Sequence, residues 1–298
     1  MKILITGANG QLGKEIIISK PANINLIAFS RSQFDLTDKK NFIQIIHQEK
    51  PDWIINCAAY TNVDNAESNY ELAYTINSLA PKYISETIRE IGGKIMHFST
   101  DYVFDGNNKN PYLPECKKAP INVYGETKSM GEDFIKNILF DTNQGFILRT
   151  SWLMGLYGNN FALTMLKLFS ERDNLNIVSD QFGSPTTTML LAKACWQLIA
   201  LDKNNIPVQN ILHISNYGVC SWFDIAKEIA EVAKKLNILN CNPNLKPIPS
   251  SSYPTPAKRP YYSVLDISSS LNSLSLKKEH WKDGINHLLR ELKFRNIV

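Results

Sequence analysis

The sequence predicts an α/β chain built on a doubly wound parallel sheet, with a smaller C-terminal α+β part. Three observations predict it. In the first half, short apolar runs alternate with helical patterns, which means βαβ units wound right-handed. Those runs are solidly apolar rather than alternating, as expected of strands covered on both faces. Three of the 14 glycines, Gly7, Gly10 and Gly13, fall together straight after the first run.

Taken in order, the predicted strands are Ile3–Thr6, Asn25–Phe29, Trp53–Asn56, Lys94–Ser99 and Gly145–Arg149. Helical patterns lie between them near Gln11–Ser19, Lys39–Gln48, Glu71–Ile91 and Val123–Asn137. The second half is less regular. Helices are expected near Phe161–Arg172, Met189–Leu201, Trp222–Leu236 and Trp281–Leu292, with extended stretches at Asn176–Val178 and Ile211–Ile214. Prolines from Pro243 to Pro260 read as a long ordered loop. The expected division is a nucleotide-binding domain over 1–150, to which 187–215 returns, and a substrate-binding domain over 151–186 and 216–298.

The chain has 298 residues, of which 44% are hydrophobic and 20% charged, ordinary for a globular protein. No apolar run reaches the roughly 18–20 residues of a membrane helix. The first strand leaves no room for a signal peptide before it. Five cysteines at irregular spacing, without a C-x-x-C, argue against a disulfide framework or structural zinc. A reduced, cytoplasmic protein is expected. A net charge of +4 without a basic stripe is too mild to imply nucleic acid, so no such partner is expected, and it suits a small anionic ligand.

The glycines stand where a strand turns into a helix. Helix N-terminal amides lack internal partners and the dipole there is positive, so a phosphate can rest on them. Glycine lets the backbone approach closely and adopt positive φ, and the third lets helix and strand pack. The spacing is G-x-x-G-x-x-G rather than the commoner G-x-G-x-x-G. Its place at the head of a βαβ series makes it a Rossmann-type dinucleotide site. The second strand ends in "AFSRS", giving Ser30 and Arg31 where an acid usually grips the adenosine ribose. A guanidinium there pairs with a 2′-phosphate, which favours NADPH and leaves NADH use open.

"NVYGETK" sets Tyr124 and Lys128 four apart on one helix face. With 12 tyrosines and roughly one residue in twelve a lysine, about one such spacing arises by chance, so position carries the signal. The pair follows the fourth strand, whose carboxyl end carries Ser99, Thr100 and Asp101, where ligands of parallel sheets bind. A phenol could deliver a proton to a carbonyl there, with the ammonium lowering its pKa. Ala58 and Ala59 at the third strand end are small enough for a cofactor to pass.

At these residues the chain resembles the dTDP-4-dehydrorhamnose reductase family of the extended short-chain dehydrogenase/reductase superfamily. The likeness runs through "TGANGQLG", "DWIINCAAYTNVDNAE", "STDYVFDG", "NVYGETK", "RTSWL", "GNNFALTML", "DQFGSPT" and "YPTPAKRP", in the family's order. It implies an oxidoreductase that reduces the C4 ketone of dTDP-4-dehydro-6-deoxy-L-mannose in polysaccharide biosynthesis. By that resemblance Tyr124 donates the proton, Lys128 tunes it and holds the ribose, and Thr100 polarises the carbonyl. Gly10, Gln11 and Leu12 would line the pyrophosphate turn, and Asp35 and Leu36 the adenine. Ala58, Ala59 and Tyr60 would flank the cofactor, with Asp101, Trp152, Asn160 and Arg259 toward the sugar.

Some members bind magnesium at a dimer interface through three glutamates, which match Glu15, Met189 and Glu291 here. A thioether is a poor ligand for a hard cation, so Mg2+ is not expected, and a monomer or another homodimer stays open. Two other products of the fold compete. A 4,6-dehydratase needs a second acid where Tyr102 stands, and a reductase of opposite face would give a 6-deoxy-talose. A non-catalytic NADP-binding subunit is the rival of another class, and it would have no use for Thr100, Tyr124 and Lys128.

Overall fold

The computed structural model describes residues 1–240 and 243–297. The N-terminal part runs β1 (Lys2–Thr6), α1 (Gln11–Ile18), β2 (Asn25–Ala28), α2 (Lys39–Glu49), β3 (Trp53–Asn56) and short helices α3 (Val63–Ala66) and α4 (Tyr70–Tyr74). A π-helical turn (Thr75–Leu79) leads into α5 (Ala80–Ile91), then β4 (Lys94–Thr100), α6 (Val123–Leu139) and β5 (Gly145–Thr150). The C-terminal part contains β6 (Leu153–Met154), α7 (Phe161–Glu171), β7 (Asn174–Val178), β8 (Phe182–Gly183), β9 (Thr186–Thr187) and α8 (Thr188–Lys203). It ends with β10 (Ile211–His213), β11 (Cys220–Ser221), α9 (Trp222–Lys235), β12 (Asn244–Ile248), α10 (Ser268–Ser273) and α11 (Trp281–Phe294).

Six strands form one sheet in the order β10-β5-β4-β3-β1-β2, every pair parallel. The order reverses direction beside β1, and the carboxyl ends of β1, β3 and β4 open onto one crevice. β3 is buried at all four positions, as its solid apolar run requires, whereas β2 at the edge is partly exposed throughout. One face of the sheet packs Ile3, Ile5, Trp53 and Met96 with Leu191, Leu198, Leu212 and Leu271. The other packs Leu4, Ile54 and Ile95 with Phe42, Ile84 and Ile135. Residues 188–203 and 211–213 thus return to the sheet, α8 against the first core cluster and β10 as its last strand. A separate cluster joins Leu166 and Phe169 of α7, Ile225 and Ile229 of α9, and Leu288 and Leu289 of α11.

Two expectations change. The stretch Pro243 to Pro260 is not all loop, because β12 lies within it and pairs in parallel with β7 alone. Pro247 is tolerated because a two-stranded ribbon leaves each strand an unpaired edge. The helix read as Glu71–Ile91 is interrupted by the π turn. That turn presents buried Asn77 to α6, where Gly131 lies so close that a Cβ would sit 2.1 Å from the Asn77 carbonyl oxygen.

Candidate active site

A cavity of about 710 Å³ lies at the crevice, within the usual range for small-molecule sites. Its floor is the glycine turn. Gly7 has φ +66°, and a Cβ on it would stand 2.8 Å from the Ala58 amide nitrogen. A Cβ on Gly13 would stand 2.3 Å from the Gly7 carbonyl oxygen. Gly10 caps α1 in extended conformation with no side chain on the first amides. Those amides are left for an anion, and Gly7, Gly10, Gln11, Leu12 and Gly13 all line the cavity. The turn therefore fits a dinucleotide pyrophosphate.

Arg31, Asp35, Leu36 and Phe34 form the wall past β2, and Ala58 and Ala59 the wall past β3. The Asp35 carboxyl is held below its usual value, chiefly by the Thr37 amide and then by the Thr37 hydroxyl, against the penalty of burial. Ser30 lies off the wall, with its hydroxyl spent on Ser32 (3.0 Å) and Gln33 (2.8 Å). Tyr60 is also off it. Its backbone N–H donates to the Asn77 side-chain oxygen (2.9 Å) and its carbonyl accepts from the Asn77 amide (3.0 Å), which turns the chain away.

Helix α6 delivers Tyr124 and Lys128. Asn122 caps it, accepting from the Gly125 N–H (2.8 Å). Gly125 lets the helix meet the end of β4, where a Cβ would lie 2.1 Å from the Tyr102 carbonyl oxygen. Tyr124, Lys128, Thr100 and Asp101 converge on the cavity. Thr100 Oγ1 donates to Asp101 Oδ1 (3.0 Å) and lies within hydrogen-bond reach of the Tyr124 phenol. Burial pushes the phenol up to about 12 and the Asp101 carboxyl up to about 7. It pushes the Lys128 ammonium down to about 7. What lowers the phenol against burial is the Thr100 hydroxyl rather than the expected Lys128 ammonium. The Lys128 Nζ instead meets His97 Nε2 (3.0 Å) and donates to the Phe98 carbonyl.

At the far end Trp152 stacks on Trp222 with ring centroids 3.8 Å apart, and both line the cavity. Trp152 has φ +46°, and Gly183 makes room for its indole, since a Cβ there would lie 2.7 Å from the ring. Two expected substrate contacts stand behind the lining, next to Gln11 and Tyr102, rather than in it. Asn160 is the cap of α7, accepting from the Leu163 N–H (3.2 Å) and donating to the Gly155 carbonyl (2.9 Å). Arg259 is clamped by Asp64, with Nη2 2.7 Å from Oδ2 and Nη1 3.0 Å from Oδ1, so its fork is already filled. Trp222, Ser151 and Phe34 line the cavity without having been singled out from the sequence. The pattern of a helix start at Trp222 gave no sign that it faces a ligand.

Glu15 and Glu291 do approach each other, but the Arg295 Nε donates to Glu291 Oε2 (3.0 Å). With a guanidinium on one carboxylate and Met189 at the third position, the residues do not fit a hard divalent cation. No cluster of three His, Cys, Asp or Glu suited to a metal occurs among the described residues.

The profile of the family described as "RmlD substrate binding domain" matches residues 1–294. The dTDP-4-dehydrorhamnose reductase of Escherichia coli (strain K12) is 37% identical over 296 residues, covering 98% of both chains. A crystal structure of a dTDP-4-dehydrorhamnose reductase from Clostridium acetobutylicum superposes with a TM-score of 0.89 at 38% identity, covering 98% of this chain and 100% of that one. One from Bacillus anthracis, solved in complex with NADP, gives 0.89 at 36% identity over 97% of this chain and 99% of its own.

Proposed function

The chain belongs to the RmlD substrate binding domain family, and from that membership and the site we infer that it is an NADPH-dependent dTDP-4-dehydrorhamnose reductase. The reaction reduces the C4 ketone of dTDP-4-dehydro-6-deoxy-L-mannose to the hydroxyl of dTDP-L-rhamnose. The observation that carries this reading is the convergence of Thr100, Tyr124 and Lys128 on a cavity floored by a phosphate-binding glycine turn.

Bound NADPH supplies the hydride. The free amides after Gly10 would hold the pyrophosphate, and Lys128 would hold the ribose. Arg31 would pair with the 2′-phosphate. Tyr124 is fully protonated at neutral pH, as a proton donor to the ketone oxygen must be. Thr100 has one hydrogen, which rests on Asp101. Burial raises the Asp101 carboxyl to about 7, so its protonated form is within reach and can give its own hydrogen to Thr100 Oγ1. The Thr100 hydrogen is then released toward the ketone, which shares the developing charge between Thr100 and Tyr124. The Trp152–Trp222 stack supplies the apolar wall for the sugar.

The cysteines among the described residues are free thiols, and no described helix is long and apolar enough to cross a membrane, which supports a cytoplasmic placement. The test follows nicotinamide absorbance with NADPH and with NADH, using dTDP-4-dehydro-L-rhamnose made in situ. Substrate-dependent loss, faster with NADPH, is expected, with rhamnose as the product sugar. A talose product would reverse the assigned face. A flat trace from protein that binds NADPH would support the non-catalytic reading instead.

A further inference from the structure

Beneath Lys128 a buried polar chain crosses the sheet. Thr6, Asn56 and His97 stand at one level on β1, β3 and β4, paired Thr6 with Asn56 and Asn56 with His97 in the strand register. Each is 1% exposed or less. The Thr6 hydroxyl and Asn56 Oδ1 are 2.7 Å apart, Asn56 Nδ2 and His97 Nδ1 are 3.1 Å apart, and His97 Nε2 reaches Lys128 Nζ at 3.0 Å. Three polar side chains in the middle of a parallel sheet are costly unless bonded to one another. Here they are bonded, and they end on the site lysine.

Hydrogen counting gives the chain two states. With Asn56 Nδ2 donating to Nδ1, the imidazole hydrogen sits on Nε2 and points at Lys128, which must then be a neutral amine. An ammonium needs Nε2 bare. The imidazole hydrogen then sits on Nδ1 and needs the Asn56 oxygen, so the amide turns over and donates to Thr6. Thr6 can serve both states, since a hydroxyl donates or accepts. We propose that His97, backed by Asn56, is a positioning residue for the reductase reaction: its neutral imidazole accepts from the Lys128 ammonium and keeps that charge in place under the cofactor ribose. The imidazole itself stays neutral, because burial and then the neighbouring ammonium hold it well below its usual value.

The other titratable groups around Lys128 do not replace this role. On its own helix Tyr124 is a neutral phenol and Glu132 is bound by Arg149 of β5 and Lys118. Asp101 closes β4 and bonds Thr100. Cys57, past β3, is a half-buried thiol that desolvation pushes further from ionising. His97 and the Phe98 carbonyl are the acceptors that the Lys128 ammonium has among the described residues.

The proposal rests on the reductase reading for its kinetic readout and on the dinucleotide site for the ribose that Lys128 would hold. The test compares wild type, His97→Gln and His97→Leu in NADPH affinity, by nicotinamide fluorescence, and in kcat/KM, each across pH. Glutamine restores an acceptor near Nε2, whereas leucine does not. Losing a hydrogen bond to a charged group should move the alkaline limb of both profiles down by about one to two pH units in His97→Leu. It should stay within about half a unit in His97→Gln. An unmoved limb in His97→Leu, or an equal shift in both variants, overturns the proposal. If His97→Leu does not fold, the imidazole nitrogens of the wild type decide by two-dimensional NMR. Hydrogen on Nδ1 below the limb and on Nε2 above it is expected, and one fixed tautomer throughout overturns the proposal. A wild type inert toward the dTDP-sugar would sink the reductase reading while the NADPH limb and the tautomer still judge His97.

Discussion

Glu132→Gln tests how the site helix is anchored. Glu132 on α6 and Arg149 on β5 are each 2% exposed and joined by two hydrogen bonds, Nε to Oε1 at 2.8 Å and Nη2 to Oε2 at 2.7 Å. Glutamine keeps the shape and removes the charge. The guanidinium is then buried with the Pro114 carbonyl (2.9 Å) as its remaining backbone acceptor. Breaking one side of a buried pair costs about 3–5 kcal/mol. At about 2–4 °C per kcal/mol for a chain of this class, the melting temperature should fall by roughly 6–20 °C. The Glu132 carboxyl is lowered below 4.5, with Arg149 overcoming burial, so its contribution is complete above pH 4.5 and is lost as pH falls through the folded value. Thermal melts should therefore show the gap between wild type and variant narrowing in acid. Replacing both partners by leucine and methionine should recover most of the loss, because neither charge is then stranded. A fall under about 2 °C, or a double variant as weak as the single, would refute the argument.

Tyr124→Phe should lower kcat by about 10²–10⁴-fold while NADPH affinity, measured by fluorescence, changes less than about twofold. Arg31→Ala should weaken NADPH by roughly 10- to 100-fold and leave NADH affinity unchanged, as the loss of a charged hydrogen bond to a 2′-phosphate requires. Equal losses for both cofactors would remove Arg31 from that role. Asp101 is raised from 3.8 to about 7 by burial, so wild-type stability should fall as pH rises through that window. Melts of Asp101→Asn between pH 4 and 8 should lack that slope, and a slope equal to wild type would assign it to another group.

The strands of the sheet were legible because parallel burial writes itself as unbroken apolar runs. Trp53–Asn56 begins and ends as read, and Asn25–Ala28 differs from expectation by one residue. The strand Asn244–Ile248 was not legible. It carries Asn244, Lys246 and Pro247 and pairs only with β7, so neither apolar period nor propensity marks it. The π turn was hidden for a different reason. Its residues Thr75–Leu79 keep helical chemistry, and the extra residue per turn answers to the close approach of Gly131 rather than to any local signal.

The site divides along the same line. Glycines and the Tyr124–Lys128 spacing are local patterns, and their places at strand ends gave them meaning. The polar chain that ends on Lys128 shares no local pattern, because Thr6, Asn56 and His97 are brought together only by strand register across β1, β3 and β4. Register also reverses an expectation about the tyrosine. Lys128 spends its nitrogen on His97 and the Phe98 carbonyl, so in the cofactor-free protein it does little to acidify Tyr124. For a reductase that is the useful arrangement. In the proposed mechanism the phenol has to arrive protonated, and the ammonium would hold the ribose and stabilise the phenolate only after the proton has left. A lysine that lowered the phenol in advance would empty the donor before the ketone could use it.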